Sequence, residues 1–328
     1  MKKIIMAILM LSIFSPVIAN AQKETILVIQ SYHDQYPWDA SYKKGLEEIL
    51  AQDFKLSYFE MDTKRIPKSE FQKKADAAWD MYKKIKPVLV ILGDDNALEY
   101  LGPRFVDTTT PVVYLGINNN PRYYDMVGHK NITGILERPL IKRSIKYIDD
   151  LIGVKKALVL FDSGTTSKVV GAEVFSGKDS LTVAGIAVDI KFIDTLDVWK
   201  ETVLASKEKG YDAIITGLYH TIRDSDGNHV DAEDVLQWTS RNTPLPPFAL
   251  WDFSVGQDKA IGGYVLFGKE QGIEAGRMAK NILSDRNSLN LPFPKTAHKG
   301  RLLFSKTQLE SWGLKIPDNM NEPIEYIK

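Results

Sequence analysis

The sequence predicts an α/β protein built of two doubly wound parallel-sheet lobes. Short apolar, β-branched runs alternate with amphipathic stretches at helical spacing, which is the pattern of strands covered by helices on both faces. The alternation stops after residues 111–115 and starts over near residue 157. No low-complexity segment or long flexible linker separates the two series, so they read as lobes joined by short crossovers. With 328 residues, 44% of them hydrophobic, the chain can fill two ordinary cores.

In the first series, residues 26–30 form a β-rich run, and Asp39 can then cap a helix burying Tyr42, Leu46, Ile49 and Leu50. Ser69 can cap a second helix, along which Phe71, Ala75, Ala78, Tyr82 and Ile85 recur every three or four residues. Residues 88–92 and 111–115 read as buried strands, each ending at a glycine, Gly93 and Gly116. After a loop at 119–130, the second series has a helix at 139–152 and a strand at 157–161. It continues with a strand at 188–192, a helix at 198–209, a strand at 213–216, a helix at 232–241 and a strand at 248–251. A last unit, 263–266 and the helix 273–283, leads to a proline-containing segment at 291–294 and a short tail. The expected division is residues 22–119 with 253–290 in the first lobe and 120–252 with 291–328 in the second.

Lys2 and Lys3, the apolar run from Ile4 to Ile18 and the small residues of Ala19-Asn20-Ala21 have the order of a cleaved export signal over residues 1–21. The run is shorter than the ~20 residues of a membrane span. There is no cysteine, which excludes disulfides, thiolate metal sites and a lipid-anchored thiol. Formal charge is zero, with 42 basic and 42 acidic residues, so neither nucleic acid nor an anionic membrane surface is an expected partner.

Two stretches carry a family resemblance. Asn131-Ile132-Thr133-Gly134, the amphipathic helix after it and Lys155 through Phe161 resemble the substrate-binding proteins of ABC transporters that include tryptophan- and tyrosine-type receptors. The run Gly272 through Ala279 before Ile282-Leu283, and Leu309 through Pro317, resemble that family's closing helix and C-terminal signature. The resemblance spans essentially the whole mature chain and implies a type I periplasmic-binding fold, two Rossmann-like lobes joined by a three-segment hinge. The loop Ser31-Tyr32-His33-Asp34-Gln35-Tyr36-Pro37-Trp38 is more aromatic than its transporter counterparts and resembles sensor modules attached to bacterial histidine kinases and diguanylate cyclases.

Ligands of open parallel sheets bind outside the carboxyl ends of the strands, and a two-lobed molecule points both sets of ends into one cleft. That rule selects Tyr32, His33, Tyr36 and Trp38 after the first strand. It then selects Asp94, Asp95 and Asn96; Asn118 and Asn119; Asp162, Ser163, Thr165 and Thr166; Tyr219 and His220; and Trp251 with Asp252. Tyr32, Trp38, Tyr219 and Trp251 are each either lobe core or a platform for a planar or cationic ligand. Asp94 and Asp95 open a helix, where one can cap backbone N–H groups and the other can meet an ammonium group. The hydroxyls of Ser163, Thr165, Thr166 and Ser167 at a helix start either cap it or receive an anion. An acidic lip facing a hydroxyl-rich helix start matches a zwitterion, so the expected ligand is an amino acid or a related zwitterion or amine.

Signals for catalysis are absent: the sequence has no nucleophile elbow, dinucleotide fingerprint or metalloprotease helix. Residues 171–178 lack the glycine spacing of a phosphate loop, and Asp224-Ser225-Asp226-Gly227-Asn228 begins like a calcium loop but has Val235 where the closing glutamate belongs. The five histidines offer no helical pair for a metal, although His33 and His220 can meet across the cleft. The expected molecule is a periplasmic solute-binding protein with no cofactor and no catalysis. Its expected membrane partner is an ABC permease or, alternatively, a sensor kinase or cyclase.

Overall fold

The computed structural model describes residues 23–286, 291–297, 300–318, 320 and 322–328; the expected export signal lies outside them. The first series contributes β1 (Thr25–Gln30), α1 (Pro37–Leu50), β2 (Lys55–Glu60), α2 (Phe71–Ile85), β3 (Leu89–Gly93), α3 (Asp94–Phe105), β4 (Val112–Ile117) and β5 (Ile132–Leu136). The second contributes α4 (Ile141–Ile152), β6 (Lys156–Asp162), α5 (Thr165–Phe175), β7 (Ser180–Val183), β8 (Ile186–Ile193), α6 (Leu196–Leu204), β9 (Ala213–Thr216), α7 (Ala232–Asn242) and β10 (Pro247–Ala249). The chain ends with β11 (Gly262–Val265), α8 (Gly268–Ser284), β12 (Lys295–Thr296), β13 (Arg301–Ser305), α9 (Lys306–Ser311) and β14 (Ile324–Ile327).

The first sheet is wholly parallel, in the order β12-β5-β4-β3-β1-β2. The second runs β10-β9-β6-β8-β7, parallel except for β7 at its edge. Alternation along the strands divides the cores. Ile26 and Val28 pack towards Leu46 of α1 and Ala275 of α8, whereas Leu27 and Ile29 pack towards Ala78 of α2 and Leu98 of α3. The second sheet repeats this, with Val159 facing Val170 of α5 and Leu160 facing Trp199 of α6.

Sheet membership departs from the expected division at three places. Strand β5, expected in the second lobe, pairs with β4 of the first sheet, and β12 adds beside β5. Strand β11, expected in the first lobe, lies along β10 through backbone bonds from Ile261 to Pro247 and from Leu266 to Leu250. The chain therefore crosses between sheets after β5, before α8 and after β12. The tail is also more than a connector, because β11, β13 and β14 form a small mixed sheet. The two expected caps are replaced as well. Pro37 opens α1 at a position where its missing N–H costs nothing, and a short 3-10 turn over Lys68–Glu70 leads into α2.

Helices α1 and α8 approach so closely that glycines form the seam. A Cβ on Gly272 would fall inside the Tyr42 carbonyl, one on Gly45 inside the Lys269 carbonyl, and one on Gly276 would stand 2.9 Å from the Cβ of Ile49. In an exposed helix, Gly→Ala would gain up to about 1 kcal/mol from helix propensity. Here overpacking reverses the sign: Gly272→Ala should cost about 1–3 kcal/mol, visible as a lower urea midpoint at unchanged slope. A midpoint equal to or above the wild type would contradict the seam.

Candidate functional site

The first wall comes from the turn between β1 and α1. Tyr36 N–H donates to the His33 carbonyl, and Asp62 N–H donates to the Tyr32 carbonyl, so the turn is fixed at both ends. It carries Tyr32, Tyr36 and Trp38 inward, and all three are buried. The Tyr32 hydroxyl shares a 2.9 Å hydrogen bond with Thr166 of the other lobe. The Tyr36 ring meets His220 edge-on at 4.8 Å and Phe253 at 6.1 Å. Lys64, also buried, holds its ammonium 4.6 Å from the centre of the Tyr32 ring and 5.3 Å from that of Tyr36.

A buried acidic group lies behind these rings. Asp95 does not cap its own helix; its carboxylate accepts from the backbone N–H groups of Asn118 and Asn119 and from the Tyr124 hydroxyl, each at 3.1 Å, and so ties down the loop after β4. Glu137, directly after β5, accepts the Trp251 indole N–H at 2.9 Å and the Asn118 amide at 3.0 Å. Asp39 takes the Gln30 amide at 3.3 Å. Asp94 caps nothing either: it is the first residue of α3, holds a left-handed φ of 66°, and its Oδ2 has no hydrogen-bond partner among the described residues. Aspartate is among the few residues other than glycine that adopt this conformation readily, and Asp62, Asp125 and Asp258 share it.

Burial sets the protonation of this group. It pushes Glu137 up to about 8 against its bonds from Trp251 and Asn118, and Asp95 up to about 6 against the two backbone donors. It also holds Asp39 and Asp94 well above the usual carboxylate range; for Asp94 the next contributions are the charges of Asp39, Glu137 and Asp95. Burial lowers His33 and, more strongly, His220.

On the second lobe, the helix start expected to receive an anion is occupied by Asp162. Its carboxylate accepts from Gly164 N–H at 3.1 Å, Ser167 Oγ at 2.6 Å and Thr221 N–H at 3.0 Å. Ser163 bonds Asp194, and Thr166 is taken by Tyr32. Two other expected residues turn away from the cleft centre. The Tyr219 hydroxyl bonds Ser254 at 3.0 Å within the second-lobe core, and Asp252 faces Arg301 of β13 at 3.5 Å. Asp252 thus shares no rim with Asp94, because β11 carries its strand end towards the small sheet.

Tyr32, Tyr36, Trp38, Asp94, Asn118, Thr166 and Trp251 do come together, with Glu137, Leu218 and Phe253, around a cavity of about 10 Å³. Tyr32 and Thr166 also border a larger cavity of about 660 Å³, lined in part by Asn96, Asn119, Ser163, Thr165 and Lys64. His33 and His220 flank Tyr36 on a further cavity of about 260 Å³. Sequence reasoning missed Asp39, Lys64, Glu137 and Phe253. Glu137 was within reach of the strand-end rule, had residues 132–136 been read as a strand. No three acidic or histidine side chains are grouped to hold a metal among the described residues. Asp224 accepts from the N–H groups of Asp226 and Asn228, so its segment is a turn closed on itself.

Two outcomes follow from this burial. Trp251→Ala should cost about 3–5 kcal/mol of stability as a large core truncation, and a loss under 1 kcal/mol would show that the indole is not core. Between pH 4.5 and about 8, folded Glu137 keeps its proton while the unfolded chain releases it. Stability should therefore fall as pH rises through that window. Glu137→Gln should lessen the fall between pH 5 and pH 8 in urea titrations, and an unaltered fall would remove Glu137 from the account.

No family model matches the chain, and no curated protein matches it significantly. Solved structures do. The ABC domain from Streptococcus pneumonia in complex with L-Trp is 18% identical, covers 93% of this chain and 100% of its own, and superposes with a TM-score of 0.66. A conserved domain protein from Vibrio cholerae, 14% identical over 93% of this chain and all of its own, gives 0.64. The ligand-free, open form of a substrate-binding protein with adhesive properties from Clostridium difficile, 15% identical over 93% and 99%, gives 0.60. At these identities the likeness concerns the fold alone, and the chain has the type I periplasmic-binding fold, two Rossmann-like lobes about one cleft.

Proposed function

We propose that the protein is an exported solute-binding protein. Its lobes close on a small metabolite, an amino acid or a related zwitterion or amine, and deliver it to the membrane permease of an ABC importer. The observation that carries this reading is the convergence of buried polar side chains from the strand ends of both sheets, Asp94, Asn118 and Glu137 from one and Thr166 and Trp251 from the other, on a single small cavity. The leader-like residues 1–21 support export to the periplasm, and no helix among the described residues is long and apolar enough to cross a membrane. A second reading, a sensor subunit reporting to a membrane kinase or cyclase, is favoured by the aromatic turn. Tyr32 and Tyr36 of that turn touch the opposite lobe and so register its position.

Denaturing the purified protein and identifying the released metabolite by mass spectrometry tests the reading directly, and solute incubated with the protein should return unchanged. Turnover would overturn it in favour of an enzyme. Tyr32→Phe removes one cross-cleft hydrogen bond, worth about 0.5–1.5 kcal/mol, so affinity should fall about two- to tenfold while the melting temperature barely moves. Small-angle scattering should report compaction when the released metabolite is added back to stripped protein; an unchanged profile would count against lobe closure.

A further inference from the structure

The polar atoms at the cleft centre that lack partners among the described residues are unevenly divided. Two are acceptors, Asp94 Oδ2 and Asn118 Oδ1, and one is a donor, Trp38 Nε1; the three residues are each at most 3% exposed and border the 10 Å³ cavity. The orientation of the Asn118 amide is fixed by its surroundings. Its nitrogen lies 3.3 Å from the Gly116 carbonyl, which can only accept, and 3.0 Å from Glu137 Oε2, so the oxygen is the atom left over.

Charge around the cavity is uneven in the same sense. Asp39, Asp94, Asp95 and Glu137 crowd the first-lobe side, and Asp162 stands on the second. Arg138, which opposes them, has its guanidinium engaged by the carbonyls of Ile117, Asn118 and Glu137 at 2.6–2.9 Å, and Lys64 lies over the tyrosine rings. A cavity of this size holds about one water-sized group. An ammonium group fits it in volume, supplies up to three N–H donors, and brings the charge that the carboxylates lack. A carboxylate on the adjacent carbon would enter the same acidic neighbourhood, and three of the four hydroxyls at the α5 start, Ser163, Ser167 and Thr166, are engaged by Asp194, Asp162 and Tyr32.

We propose that the interlobe site selects primary organic amines whose amine-bearing carbon carries no carboxylate, the ammonium group seating between Asp94 and Asn118. The remainder of the solute extends past Tyr32 and Thr166, which border both cavities, into the 660 Å³ space beyond. The inference rests on the solute-binding reading and narrows its ligand class.

Calorimetric titration of the mature chain against matched pairs tests it: tyramine with tyrosine, tryptamine with tryptophan, cadaverine with lysine, agmatine with arginine, beside a panel of carboxylates and neutral sugars. In at least one pair the amine should bind about tenfold or more tighter than its amino acid, the scale of one charged hydrogen bond gained or a repulsion avoided. Asp94→Asn should abolish that preference. Asparagine tolerates a left-handed φ, so the variant should fold; its melting curve checks this, and Asn118→Ala supplies a second variant expected to weaken the amine. Binding of the amino acids as tightly as their amines, or binders found only among carboxylates or sugars, would overturn the amine inference and leave the solute-binding reading standing. Silence across every class would count against both.

Discussion

Glu137 sits where the chain first leaves the first sheet, and its carboxyl joins Trp251 of the second lobe to Asn118 of the first. Stripping water from a carboxylate costs several kcal/mol, and two hydrogen bonds with a neighbouring guanidinium offset only part of that. The remainder emerges as a raised proton affinity, pushed up to about 8. The same burial acts on Asp39, Asp94 and Asp95, so the strand ends of the first sheet form an acidic floor whose ionisation is coupled to whatever lies above it.

Asp94 and Asp95 are adjacent in sequence and opposite in role. Asp95 accepts three donors from the loop after β4 and thereby places Asn118. Arg138 binds the carbonyls of that same loop, so its backbone is held from two sides. Within this fixed frame Asp94 keeps a left-handed backbone and one oxygen without a partner among the described residues. A frame ordered before the solute arrives reduces the entropy lost on binding, which is how a modest number of contacts can give useful affinity.

The parts of the fold legible in the sequence are those where both strand faces are buried. The cores of β1, β3, β4 and β6 are unbroken apolar runs, and their ends locate Tyr32, Trp38, Asp94, Asn118 and Thr166 without further information. Edge strand β2 is half-exposed and mixes lysine, serine and glutamate with its apolar residues, so it carries no such run. Residues 132–136 are apolar enough, but the sequence reading places no element between the loop at 119–130 and the helix at 139–152, which hides the strand and, with it, Glu137 and the course of the first crossover. Asp39 misled for a local reason: an acidic residue in a first turn reads as a cap, and only tertiary packing turns it inward to Gln30. Lys64 follows an edge strand, where nothing in the sequence says that two aromatic rings will receive its ammonium.

The balance between open and closed lobes turns on how little polar contact crosses the cleft. Tyr32 with Thr166 and Trp251 with Glu137 are two hydrogen bonds, and Tyr36 against His220 and Phe253 are aromatic contacts of about 0.5–1.5 kcal/mol each. A closed arrangement held by terms of that size can be shifted by a solute with a few kcal/mol of preference for it. Lys64 sets part of that preference. Its single charge lowers the proton affinity of both Asp39 and Asp94 from a seat on the first lobe, and it remains there whether or not the lobes meet. Lys64 is one cation beside two buried carboxyls, so it offsets only part of what burial does to them, and the second-lobe cations Lys168 and Arg223 border the larger cavity beyond Thr166 instead of the floor itself.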